Sequence, residues 1–106
     1  MGYVLVRLFM REDDKIEGEP AYRKVFELLK EHKVKGATVL KSIMGYGTTG
    51  EYHYEGIEAL SYALPVVVEF VEDTDKAMEV LNILLAKVDA GLIIVEEVEL
   101  CYSSWL

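Results

Sequence analysis

Two stretches of helical periodicity, residues 20–34 and 73–88, each lie between apolar runs of strand periodicity, and this order constrains the fold more than any other feature. In the first run, residues 3–10, Val4, Val6, Leu8 and Met10 share one face at period two, with Tyr3, Leu5, Arg7 and Phe9 on the other. Residues 11–19 read as a polar link to Pro20, which suits a first helical position. Ala21, Val25, Leu28, Leu29 and His32 follow at helical spacing, opposite Arg23, Lys24, Glu27, Lys30 and Glu31. The pattern predicts an amphipathic helix of about four turns ending near residues 34–36. A second strand is expected over residues 37–44, and a third over 64–71 with Pro65 tolerable only at its start. Asp73 or Thr74 can cap a second helix, whose buried stripe is Ala77, Val80, Leu81, Leu84 and Val88. A last strand is expected over residues 92–101, followed by a tail too short to form a unit of its own.

The resulting order, β-α-β-β-α-β, is the split βαβ pattern of ferredoxin-like domains: class α+β, one domain over residues 1–106, with a four-stranded antiparallel sheet. Both helices then cover one sheet face, and the other should be polar in a monomer. It is apolar: Tyr3, Leu5 and Phe9, with Val67 and Val71 and with Ile93 and Val95, are expected there. A patch of that size implies burial against copies of the same chain. The topology also predicts that the 11–19 link, the loop after the second strand and the 87–91 turn share one edge of the sheet. At the opposite edge Thr38 should lie near Glu69 and Val71.

Charge and composition narrow the function. The net charge of −8 argues against duplex nucleic acid, whose binding rests on Lys and Arg at the phosphates. No run of about 18 apolar residues is present, and residues 1–3 lead directly into the first strand without a basic signal region, so a cytoplasmic protein without membrane insertion is expected. A single cysteine, Cys101, excludes an internal disulfide and is expected to be a small buried hydrophobe. Gln is absent and Asn82 is the one asparagine, while Glu and Lys abound, a bias that points to a thermophilic source.

Residues 43–56 interrupt the strand pattern with four glycines, three tyrosines, two threonines and His53. Long loops inside compact domains are usually functional or disordered. Gly45 and Gly47 can aim backbone N–H groups at an anion, because glycine enters φ > 0 without steric cost. Tyr46 between them either stacks on a base or packs between subunits. His32 is expected at a helix end, and Glu96, Glu97 and Glu99 on a solvated edge; no catalytic constellation is found, and no enzyme activity is expected.

Gly36-Ala37-Thr38-Val39, Ile43-Met44-Gly45-Tyr46-Gly47, His53 and Leu60-Ser61-Tyr62-Ala63-Leu64-Pro65, with Glu69 and Val71, resemble the PII nitrogen-regulatory signal proteins, and within them an uncharacterised PII-like branch. The resemblance implies a homotrimer with nucleotide clefts between subunits and a mobile loop, here residues 45–57, that reports occupancy to a partner protein. It implies that Thr38, Glu69 and Val71 meet the adenine, and that Gly45 and Gly47 face the phosphates. Tyr54-Glu55-Gly56 stands where PII proteins carry a modifiable tyrosine, but the loop is one residue shorter and its flanks differ, so modification is not expected. The basic clamp of PII proteins is missing: the turn reads Lys87-Val88-Asp89-Ala90-Gly91, and neither Lys nor Arg follows Leu92. Charge-assisted hydrogen bonds are the strong ones at a phosphate. A mono- or diphosphate, or a cyclic form, is therefore expected rather than ATP, with Arg11 and Lys15 as the remaining phosphate partners. The alternative is a metal-tolerance trimer of the same fold, with His53 and Glu51 or Glu55 holding a divalent cation. A third reading is a dimeric ferredoxin-like enzyme with Arg7 on its pocket face.

Overall fold

Nine-residue strands β1 (Tyr3–Arg11) and β7 (Pro65–Asp73) pair antiparallel along their whole length at the centre of the sheet. The computed structural model describes residues 2–46, 52–54, 64–89 and 91–105. Between these strands in sequence come β2 (Lys15–Ile16), β3 (Glu19–Pro20), α1 (Ala21–Glu31), β4 (Thr38–Lys41), β5 (Met44–Tyr46) and β6 (Tyr52–Tyr54); α2 (Thr74–Leu85) and β8 (Leu92–Val98) follow. The main sheet has the order β4-β7-β1-β8, every pair antiparallel, with both helices packed on one face. This is the expected α+β arrangement. Alternation produces it: Val4, Val6, Leu8 and Met10 from β1 and Val66, Val68 and Phe70 from β7 are buried under Val25, Leu28 and Leu29 of α1 and Ala77, Val80, Leu81 and Leu84 of α2.

Helix α1 is shorter than the periodicity suggests, three turns rather than four, with Pro20 at the N-cap instead of the first helical position. Its end is a Schellman motif. Val34 N–H donates to Leu29 O at 3.0 Å and Lys33 N–H to Lys30 O at 3.1 Å, with Lys33 left-handed at φ 68°. No glycine marks that turn, so the pattern runs past it. His32 is the C-cap, the helix-end position expected. Of the two candidate caps for α2, Asp73 is used, its side chain accepting from Lys76 N–H at 3.0 Å; the Thr74 hydroxyl donates to Gly2 O instead.

Three further expectations change. The polar link contains the β2–β3 hairpin, turned at Glu17 (φ 53°) and Gly18 (φ 83°), the positive pair that a tight turn with right-handed strand twist requires. The 37–44 strand is broken at Ser42, whose N–H and hydroxyl both donate to Pro65 O, at 3.1 and 2.7 Å, so that β4 ends and β5 begins a separate ribbon with β6. The last strand closes at Val98, and Cys101 is exposed beyond it rather than buried.

Register assigns the faces. Ile93 and Val95 stand opposite Leu8 and Val6 and so lie on the helix side; the open face of β8 carries Leu92, Ile94, Glu96 and Val98. Four consecutive apolar residues, 92–95, give no alternation from which a face could be read. The open face is apolar at Leu5 and Val71 and at Phe9 and Val67, with Leu40 47% exposed at its rim, but Arg7, Glu69 and Glu96 run across it between the two pairs.

Candidate functional site

The outer strand β4 sets the geometry. Thr38 stands opposite Glu69 and Leu40 opposite Val67, while Glu69 and Val71 stand opposite Arg7 and Leu5. Directly paired residues share a face. Thr38, Glu69, Val71, Leu5 and Arg7 therefore all belong to the open face at the start of β4. All of these but Arg7 line a cavity of about 220 Å³, whose remaining walls are Gly36, Ala37, Phe70 and Trp105. The three residues expected to meet a base, Thr38, Glu69 and Val71, are thus brought together.

The Glu69 carboxylate at this cavity is held by Arg7 of the adjacent strand β1. Arg7 Nε donates to Glu69 Oε2 at 3.2 Å, and the same guanidinium reaches Glu96 Oε1 at 3.5 Å. Pairs this exposed contribute about 0–1 kcal/mol to stability. Their effect is positional: Arg7 fixes one oxygen of Glu69 and leaves Oε1 without a hydrogen bond among the described residues, beside the Thr38 position. Glu96, expected on a solvated edge, is the third member of this charge row.

The other end of β4 is three residues away, about 10 Å at the rise of a strand. Here Glu12 N–H donates to Leu64 O, Gly91 N–H to Phe9 O and Ser42 N–H to Pro65 O. The link, the start of the ribbon and the turn before β8 share this edge, as the topology predicts. Gly45 pairs with His53 in the ribbon and does not have positive φ. Its need for glycine is spatial: a Cβ there would stand 2.7 Å from Pro65 Cγ. The expected anion nest is accordingly not built at Gly45, whereas Gly47 lies outside the described residues. Tyr46 is exposed at the end of β5.

The cationic candidates differ in availability. Arg11 makes a two-pronged contact with Asp13, both bonds 2.9 Å. Nearby Lys41, which the sequence did not single out, is paired with Glu12 at 3.3 Å. Lys15 in β2 is exposed and has no ion pair among the described residues. The side chain of His53 and residues Glu51 and Glu55, on which the metal alternative rests, lie outside the described residues; among those described, no group of three or more His, Cys, Asp or Glu could hold a metal ion. No described helix is long and apolar enough to cross a membrane.

Two wall residues, Gly36 and Trp105, gain a role that periodicity does not show. A Cβ on Gly36 would collide with Trp105 Cε3, so glycine admits the indole ring. The lone tryptophan in a tail of mixed polarity was the available signal.

Among solved structures, the fold is similar to a protein described as a PII-like signaling protein from Thermus thermophilus, with TM-score 0.63 and 18% identity over 92% of this chain and 91% of that one. It is also similar to CPII from Thiomonas intermedia, described as a nitrogen regulatory PII-like protein bound to ADP, AMP and bicarbonate (TM-score 0.59, 12% identity, 92% and 87% covered). The divalent ion tolerance protein CutA1 from Ehrlichia chaffeensis shares the fold at TM-score 0.57 and 15% identity, with 97% and 85% covered. In sequence, a UPF0166 protein of Aquifex aeolicus is 40% identical over 98 residues, 92% of each chain. A UPF0166 protein of Methanocaldococcus jannaschii is 37% identical over 94 residues, 88% of this chain and 86% of its own. Residues 3–100 match the model of the DUF190 family, described as Uncharacterized ACR, COG1993. The chain belongs to this family, DUF190 (UPF0166), whose fold is that of the PII-like signalling proteins.

Proposed function

We propose that this chain is a PII-like sensor that takes up an adenine nucleotide, AMP or ADP rather than ATP, beside β4, and that performs no chemistry of its own. The observation that carries this reading is the meeting of Thr38, Glu69 and Val71 around one cavity at the rim of an apolar open face. Glu69 Oε1 and the Thr38 hydroxyl supply polar edges, and Leu5, Ala37 and Val71 apolar walls, the mixture that small-molecule sites use. Covering the open face with copies of the same chain completes a homotrimer and places the cavity between subunits. The ligand then runs along β4, with its phosphates toward the edge that holds Arg11, Lys15 and Tyr46. Asp13 already occupies Arg11 and Glu12 occupies Lys41, so little free positive charge faces a triphosphate. Occupancy there reaches residues 45–57, the segment assigned to a protein partner. The CPII neighbour, described as bound to ADP and AMP, supports the ligand class.

Calorimetric titration with AMP, ADP and ATP tests the reading. Heat with AMP or ADP, and weaker binding of ATP, is expected. Absence of heat and of any thermal shift with all three at millimolar ligand overturns it.

A further inference from the structure

We propose that Trp105 is a ligand-binding residue: its indole is the stacking wall for the base, which makes a planar heteroaromatic ring the part of the ligand that enters the cavity. This rests on the nucleotide reading above and adds to it the residue that selects the ring.

The argument begins with where the tail goes. Strand β8 ends at Val98, opposite Tyr3, at the end of the sheet where β7 also finishes. β8 and β4 are the two edges of the sheet. From Val98 the chain therefore crosses the width of the sheet to bring Trp105 against Gly36, just before β4. Two local features place it there. Gly36 has no Cβ to hold the ring away, and Ser103 Oγ accepts from the Trp105 backbone N–H at 2.9 Å.

This position does not bury the ring. Trp105 remains 66% exposed although it lies against Gly36 and lines the cavity with Leu5, Thr38, Glu69 and Val71. Tryptophan usually contributes to stability through the large area it buries. Here most of that area is left open, so core packing does not account for the tail's course. The cavity persists with the indole in place, and the ring is therefore a wall of it and not its filling.

Size selects the occupant. Clefts that enclose a whole drug-sized ligand measure about 300–1,000 Å³. At about 220 Å³ and open to solvent on one side, this cavity has room to enclose one ring system, with sugar and phosphates along β4. Trp105 on one side, Leu5 and Val71 on others, and polar groups at Thr38 and Glu69 suit a base with edge donors. They suit neither a bare phosphate nor a peptide carboxylate.

Trp105 is the chain's one tryptophan, so its emission reports the contact directly. Titration of the unaltered chain with AMP and ADP should change that emission with the midpoint found by calorimetry, whereas ribose 5-phosphate at the same concentrations should not. Trp105→Ala should weaken binding on the order of 10-fold, the usual loss when a stacked aromatic is truncated. Trp105→Phe, which keeps a ring, should recover most of the affinity, and it should sediment as the unaltered chain does. Calorimetric binding without any emission change, or equal affinities for the unaltered, Phe and Ala chains, overturns the assignment of Trp105 and leaves the nucleotide reading standing. No heat from the unaltered chain overturns both.

Discussion

Lys33 is the residue at which local chemistry and backbone conformation disagree most. It occupies the left-handed position of the α1 Schellman motif at φ 68°, where a Cβ is crowded and glycine is usual. Its carbonyl accepts from Lys76 Nζ at 2.7 Å, a contact that does not depend on its own side chain. Lys33→Gly should therefore stabilise the fold by about 1 kcal/mol, measured as a higher denaturant midpoint at unchanged slope. A lower midpoint would show that the lysine side chain outweighs the backbone strain. Arg7 is a different case. Alone among the polar residues of β1, it stands in the middle of the open face, and only its partners Glu69 and Glu96, on two other strands, give it a role. Such a charge row is not legible in sequence, because the three residues become neighbours only through register.

At the scale of elements, the β5–β6 ribbon is held to the sheet by the approach of Gly45 to Pro65. A methyl at Gly45 would meet a rigid proline ring, so Gly45→Ala should cost roughly 1–3 kcal/mol, the usual range for overpacking. Pro65→Ala opens that space, and the double variant should recover part of the loss. A double-mutant cycle read by chemical denaturation, with a coupling above about 0.5 kcal/mol, is the expected outcome; additive losses would mean that the ribbon is anchored elsewhere. The helices were legible as elements, since Ala21, Val25, Leu28 and Leu29, and Ala77, Val80, Leu81 and Leu84, recur at helical spacing and are buried. Their ends, and the two small hairpins, were not. Those depend on single backbone torsions at Glu17, Gly18 and Lys33 and on the double hydrogen bond from Ser42 to Pro65 O, none of which leaves a periodic trace.

For the molecule as a whole, the open face is the surface on which the proposed assembly rests. Leu5 with Val71, lining the cavity, and Phe9 with Val67, on the far side of the Arg7–Glu69 pair, are the apolar patches of this surface, and a homotrimer that covers it is expected. Val67→Glu places a charge in that surface, opposite Phe9 and Leu40, without touching the cavity wall. Burying an unpaired carboxylate there costs several kcal/mol. Sedimentation of the variant should fall from a trimer to a monomer, and nucleotide binding should weaken with it, because the cleft is read as completed by a neighbouring subunit. A Val67→Glu chain that is still trimeric would rule out this face as the interface.

The sequence by itself determined the α+β class, the order of the main strands and helices, and the pairing of Thr38 with the Glu69 region. These follow from hydrophobic spacing, and burying one face of each element leaves few topologies open. Tertiary structure alone decided which of residues 92–95 face the helices, what holds Glu69, why Gly45 must lack a side chain, and where Trp105 comes to rest. Each of these depends on a contact between residues distant in sequence. A one-residue shift of register exchanges the two faces of a strand, and no local pattern over a run of four apolar residues records which register is taken.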